Sequence, residues 1–136
     1  MTDKFNLEGK IALVTGAAGL LGRQHSMALA EKGAVVYMTD IKIDQLNSSK
    51  EIVKSELPQG KFETLQLDVT SEESWQALES KTKADFGGLD IMVNNAGIVS
   101  NLDITAVTVE AWQRLMNVNL TGVMLGCQTA ISLMRD

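Results

Sequence analysis

Thr15-Gly16-Ala17-Ala18-Gly19-Leu20-Leu21-Gly22 follows directly on the apolar run Lys10-Ile11-Ala12-Leu13-Val14-Thr15, and these two stretches decide how the rest of the chain is read. The run predicts a strand buried on both faces. Beyond the turn, Leu20/Met27 and Leu21/Ala28 recur at heptad spacing, which predicts a helix from Leu20 to Lys32, with Gly33 placed to end it. Glycines between a strand and a helix let the backbone turn sharply and approach phosphate oxygens. The helix N-terminus adds unpaired N–H groups and a favourable dipole, so this is where a pyrophosphate site is built. A P-loop needs G-x-x-x-x-G-K-[ST], but Gly22 is followed by Arg23 and Gln24, which supply neither the lysine nor the hydroxyl.

The same alternation continues outward. Ala34-Val35-Val36-Tyr37-Met38-Thr39 reads as a second strand, and the next helix carries Leu46, Val53 and Leu57 and cannot pass Pro58. Phe62, Leu65, Leu67 and Val69 mark a third strand. Thr70 and Glu73 have capping-box spacing and open a helix through Trp75, Leu78 and Phe86. Gly87-Gly88 closes it, Leu89-Asp90-Ile91-Met92-Val93 forms strand four, and Thr108 to Met134 reads as one long helix. Alternating strands and helices with right-handed crossovers imply an α/β fold: the first half of a Rossmann-type doubly wound parallel sheet, strand order 3-2-1-4. The expectation is a single nucleotide-binding domain over residues 1–136, incomplete at its C-terminus.

Composition supports a globular domain: 45% of the residues are hydrophobic and 21% charged. The net charge of −5 argues against nucleic acid and anionic membranes as partners. A compact phosphate site is unaffected, because backbone amides build it. One cysteine, Cys127, and one histidine, His25, leave no disulfide framework and no expected metal site. The N-terminus lacks a signal profile and no apolar run reaches membrane-spanning length, so the cytoplasm is the expected compartment.

Asp40 stands at the end of the second strand, eighteen residues beyond Gly22. A carboxylate there accepts from a ribose 2′-hydroxyl and repels a 2′-phosphate, so NAD is expected over NADP; a strand-terminating aspartate in a turn is the plainer alternative. Lys42 is the only basic residue near enough to soften that discrimination.

The Thr15–Gly22 turn, Asp68-Val69, Asn94-Asn95-Ala96-Gly97 after strand four and Asn117-Val118-Asn119-Leu120 in the last helix together resemble the short-chain dehydrogenase/reductase family. The resemblance spans essentially the whole chain and implies hydride transfer between a nicotinamide cofactor and a carbonyl or alcohol substrate. It implies a cofactor site made of Thr15, Gly16, Ala18, Gly19, Leu20, Leu21 and Gly22, with Asp40 and Ile41 beside the ribose. Asp68 would meet the adenine amino group, with Val69 beside the ring. Asn95, Ala96 and Gly97 would line the ribose and phosphate path, with Ile98 as an apolar wall. Asn119 matches the helix asparagine of the family's catalytic tetrad, whose main chain holds a water; a polar tie between helix and sheet is the alternative. The commonest family turn is T-G-x-x-x-G-x-G, whereas here the middle glycine is Gly19 and Leu20 takes its usual place.

Gly122 and Gly126 in the last helix each cost about 1 kcal/mol relative to alanine, so close packing on the sheet or a distortion near Asn119 is expected. The family's serine and Tyr-x-x-x-Lys would lie beyond Asp136: the only tyrosine, Tyr37, has Ile41 four residues on. The 136 residues are therefore expected to bind the cofactor without turning over substrate, and to associate through uncovered apolar surface. The full-length form would be a homodimer or homotetramer. A non-catalytic nucleotide-binding module or assembly partner is the other functional class.

Overall fold

The computed structural model describes residues 3–134. Four parallel strands, β1 (Ile11–Thr15), β2 (Val35–Asp40), β3 (Lys61–Gln66) and β4 (Ile91–Val93), form one sheet in the order β3-β2-β1-β4. The register places Leu13 opposite Tyr37 and Met92, so the two central strands align over their full length. Helices α1 (Leu20–Glu31), α2 (Ile43–Glu56) and α3 (Glu72–Phe86) connect the strands, and α4 (Val109–Met116) and α5 (Gly122–Met134) complete the described chain.

Period-two alternation in the strands divides the core into two layers. Ala12 and Val14 of β1 join Val36 and Met38 of β2 in a cluster with Ala30, Leu46 and Val53 from α1 and α2. Leu13 and Tyr37 point the other way, toward Trp75 and Leu78 of α3 and Ala130 and Leu133 of α5. Burial on both faces is why β1 and β2 read as continuous apolar runs and not as alternating ones. Tyr37 meets Phe86 edge-on, with ring centroids 5.4 Å apart and planes at 76°.

Helix ends follow local chemistry, with two differences from the sequence reading. Gly33, at φ 101°, takes the left-handed turn after α1 as expected. The cap of α3, however, is Ser71 and not Thr70: the Ser71 hydroxyl accepts from the Ser74 amide at 3.2 Å. Thr70 is occupied one step earlier, its amide and hydroxyl both donating to Asp68 Oδ1 at 2.9 and 2.7 Å. The second difference is the long helix, which is broken. Asn117–Thr121 forms a π turn between α4 and α5, where the Gly122 amide donates to the Asn117 carbonyl five residues back.

The two helical glycines explain why α5 sits so close to the sheet. A Cβ on Gly122 would stand 2.9 Å from Val69 Cγ2, and one on Gly126 would strike Asn94 Oδ1 and approach Trp75 Cη2 at 3.1 Å. Strand β4 begins at Ile91, later than the Leu89 expected, because Asp90 is turned to other work. Its carboxylate accepts from the Ile11 amide at 2.8 Å and from Lys10 Nζ at 2.9 Å. The Ile11 amide first, and then Lys10, hold its carboxyl below the usual carboxylate range.

Candidate functional site

The C-terminal ends of the strands open into one cleft of about 940 Å³, within the range of small-molecule sites. It lies where the chain's direction of travel reverses: β2 and β3 extend to one side of β1 and β4 to the other.

The glycine turn forms its floor. Gly16 has φ 65°, and a Cβ there would sit 2.8 Å from Ala96 Cα; one on Gly22 would sit 2.6 Å from Ala17 Cα. Both glycines are demanded by the protein's own backbone. Gly19 is different. Its φ of −79° suits any residue, and a Cβ would meet nothing nearer than Gly16 O at 3.5 Å. The space it leaves opens onto the cleft. Gly19 is also the N-cap of α1, which has no side-chain cap and no acidic residue in its first turn. The first amide to close onto the helix is that of Arg23, donating to Gly19 O at 3.0 Å. The amides of Leu20, Leu21 and Gly22 therefore precede the ladder, at residues that line the cleft.

Asp40 closes the next side. Its Oδ2 accepts from the Ala18 amide at 3.1 Å and its Oδ1 from the Lys42 amide at 3.0 Å. The carboxylate thus fixes the glycine turn, keeps accepting capacity on both oxygens, and lines the cleft beside Ile41. Asp68 and Val69 line the third side, and within the described residues no hydrogen bond uses Asp68 Oδ2. Asn95, Ala96, Gly97 and Ile98 line the fourth.

Two expected residues stand behind this surface. Thr15 is 2% exposed, and its hydroxyl accepts from the amides of Asn95 at 3.0 Å and Ala96 at 2.9 Å. Asn95 answers by donating Nδ2 to Thr15 O at 3.0 Å and Gly16 O at 3.3 Å. Asn119 pairs both ends of its amide with one residue: Oδ1 accepts from the Ile98 amide and Nδ2 donates to the Ile98 carbonyl, each at 2.8 Å. Gly97 is flush against it, since a Cβ there would lie 3.3 Å from Asn119 Oδ1. The side chain therefore ties helix to loop, and the π turn sets the local main-chain path.

Sequence reasoning missed one wall of the cleft. Glu110, Gln113, Arg114, Asn117 and Val118 of α4 and the π turn line it. Their spacing of three and four is a helical stripe, and that periodicity was available. Among the described residues no group of acids, histidines and cysteines could hold a metal. Tyr37 is buried outside the cleft. Among the described residues its hydroxyl has no partner, and its pKa is raised to about 12, by burial first and then by Asp85 and Glu63.

Residues 10–136 match the short chain dehydrogenase family. The chain belongs to that family. Among its relatives, a 3-alpha-(or 20-beta)-hydroxysteroid dehydrogenase of Mycobacterium tuberculosis is 38% identical over 130 residues, covering 96% of this chain and 48% of the relative. Trans-4-hydroxycyclohexanecarboxylate dehydrogenase of Sinomonas cyclohexanicum is 35% identical over 130 residues, covering 93% and 50% respectively. The crystal structure of a short-chain type dehydrogenase/reductase from Mycobacterium marinum superposes with a TM-score of 0.91 at 34% identity, over 98% of this chain and 54% of that one. This member of the short-chain dehydrogenases thus spans about half the length of the relatives it matches, in a family that binds a nicotinamide cofactor, NAD or NADP.

Proposed function

We propose that the cleft is an NAD site and that the protein interconverts a secondary alcohol and its carbonyl compound. The observation that carries this reading is the convergence, in one cleft, of an uncapped helix N-terminus, a fixed Asp40 carboxylate and a partly free Asp68. The donor set fits a dinucleotide. The amides of Leu20, Leu21 and Gly22 would hold the pyrophosphate, with the vacant side of Gly19 giving its oxygens room. Asp40 would accept from ribose hydroxyls, with Ile41 alongside. Asp68 Oδ2 would accept from the adenine amino group, with Val69 against the ring, and Asn95 to Ile98 would wall the path between.

When bound, a nicotinamide cofactor would supply the hydride acceptor for oxidation of the alcohol and the hydride donor for the reverse reaction. The residues of this chain hold and orient. Asn119 fixes Ile98, and the main chain of its π turn is proposed to hold a water at the edge of the catalytic centre. Trp112, Leu120, Met124 and Ile131 are exposed along α4, the π turn and α5, and a second copy of the chain is the proposed cover. No helix among the described residues is long and apolar enough to cross a membrane, and a cytoplasmic location is proposed. The two named relatives each specify a hydroxylated alicyclic compound, which supports an alicyclic alcohol here.

Preference for NAD rests on Asp40 and on what surrounds it. Ala17 and Ala18 supply neither a cation nor a hydroxyl for a 2′-phosphate, and the phosphate would meet the Asp40 charge. The test is a fluorescence titration with NADH and NADPH. NADH is expected to bind at least about tenfold tighter, and Asp40→Asn to narrow the gap. Tighter binding of NADPH by the unmodified protein would sink the reading.

A further inference from the structure

The turn after β3 is tied down from several sides. The Asp68 amide donates to Ser74 Oγ at 3.0 Å, and the Asp68 carbonyl accepts from the Ser71 amide at 3.1 Å. The Val69 carbonyl accepts from Trp75 Nε1 at 2.9 Å, and Trp75 is itself buried with Leu67 and Leu78. Val69 also lies against α5, where a Cβ on Gly122 would stand 2.9 Å from its Cγ2. The first turn of α3 thus fixes the main chain on which Asp68 stands.

The Asp68 side chain is held as firmly, but through one oxygen. Oδ1 accepts from the Thr70 amide at 2.9 Å and from the Thr70 hydroxyl at 2.7 Å, which fills that oxygen's ordinary accepting capacity. Oδ2 is left as the open acceptor, and Asp68, Val69 and Thr70 all line the cleft. A carboxylate pinned in this way cannot turn to suit its ligand. The distinction matters for a purine base, because adenine carries a 6-amino donor and hypoxanthine a 6-oxo acceptor. The oxo group would set lone pair against lone pair, and only a carboxylate free to turn could reach the neighbouring N1–H instead.

We infer that Thr70 is a positioning residue that makes Asp68 a one-oxygen reader of the base, selecting a 6-aminopurine dinucleotide over its 6-oxopurine counterpart. The inference rests on the nucleotide reading above. Thr70 acts through Asp68, while Ser74 and Trp75 hold the turn beneath both. Thr70 is itself exposed, so replacing it leaves the core untouched.

The test titrates the protein with NADH and with reduced nicotinamide hypoxanthine dinucleotide, and melts the same samples. NADH is expected to bind about tenfold tighter, the effect of one hydrogen bond to a charged group. Thr70→Val removes the hydroxyl donor and should shrink that preference to about threefold or less, whereas Thr70→Ser keeps the donor and should keep the preference. Asp68→Asn carries the sharpest expectation. The two Thr70 donors would hold the amide oxygen in place of Oδ1 and leave the NH2 group in place of Oδ2, so the preference should invert toward the 6-oxo base. Adding Thr70→Val to Asp68→Asn should weaken the inversion, because the amide can then turn over. Equal binding of the two dinucleotides by the unmodified protein overturns the inference. So does a Thr70→Val protein that retains the full preference, a Thr70→Ser protein that loses it, or an Asp68→Asn protein that still prefers NADH at an unchanged Tm. If Asp68→Asn fails to fold, the two Thr70 variants decide. Those outcomes leave the NAD site standing, whereas absence of NADH binding by the unmodified protein overturns the nucleotide reading beneath it.

Discussion

Replacing Gly19 by aspartate should move stability and cofactor affinity in opposite directions. Position 19 is the N-cap of α1, with φ −79° and ψ 168°, the extended geometry in which a cap side chain reaches the first-turn amides. No side chain caps that helix and no acid complements its dipole. The introduced carboxylate would do both, contributing roughly 0.5–1 kcal/mol in all. That corresponds to a rise in Tm of about 2–4 °C. The same carboxylate would occupy the space in which we place the pyrophosphate. Two unit charges at about 4 Å and an effective dielectric near 20 repel by about 4 kcal/mol. On that figure the NADH Kd weakens about a thousandfold. Gly19→Ala separates volume from charge: its Cβ meets only an ordinary contact with Gly16 O at 3.5 Å, so the fold tolerates it and any loss of binding is steric. Gly22→Ala is the opposite control, since its Cβ would press on Ala17 Cα at 2.6 Å and on the Gly16 carbonyl, and it should unfold the turn. Calorimetric titration with NADH and a thermal melt on the same samples read both effects. A Gly19→Asp protein that melts higher and still binds NADH within threefold of the original would refute the placement of the pyrophosphate.

Two further outcomes follow from the packing. Tyr37 is 1% exposed and its hydroxyl has no partner among the described residues, so Tyr37→Phe should be neutral or slightly stabilising at pH 7. Its pKa in the fold, about 12, lies above the ordinary 10.0. The stability it contributes is therefore complete below pH 10 and lost as pH rises toward 12, and the variant should lose part of its alkaline melting slope; an unchanged alkaline limb counts against it. Gly122→Ala gains helix propensity of about 1 kcal/mol but places a Cβ 2.9 Å from Val69 Cγ2 and 3.2 Å from its carbonyl. A net loss of about 1–3 kcal/mol in chemical denaturation is expected, and a stabilised variant would show that α5 can lift off the sheet freely.

Strand order, both core layers and most of the cleft were legible because buried strands and strand-to-helix turns have strong local signatures. Lys10–Thr15 and Ala34–Thr39 could be little else. What escaped depended on choices between adjacent groups. Thr70 and Ser71 are both competent caps, and the decision falls to Asp68, which engages Thr70 first. Gly122 and Gly126 announced a close approach or a distortion near Asn119, and both occur; no spacing specifies that the distortion is a π turn over Asn117–Thr121. Asp40 was legible as a residue of the cleft, but its bond to the Ala18 amide joins the end of β2 to the turn after β1 and has no sequence signal. The helical spacing of the α4 wall carries no such signal, because Glu110, Gln113 and Arg114 read equally well as the solvent face of an amphipathic helix.

The clasp between Thr15 and Asn95 sets the order in which the cleft can come into being. These partners lie 80 residues apart along the chain, so the glycine turn acquires its final shape only after the intervening loop has closed and β4 has docked. Such long closures come late in folding, because their entropic cost precedes their reward. Assembly of the site is thus a report on completion of the sheet. A chain caught with β1 to β3 paired and β4 adrift would have ordered strands and no complete cleft. Once formed, the cleft would let bound dinucleotide slow the release of β4, protecting the amides of Asn95 and Ala96 from hydrogen exchange.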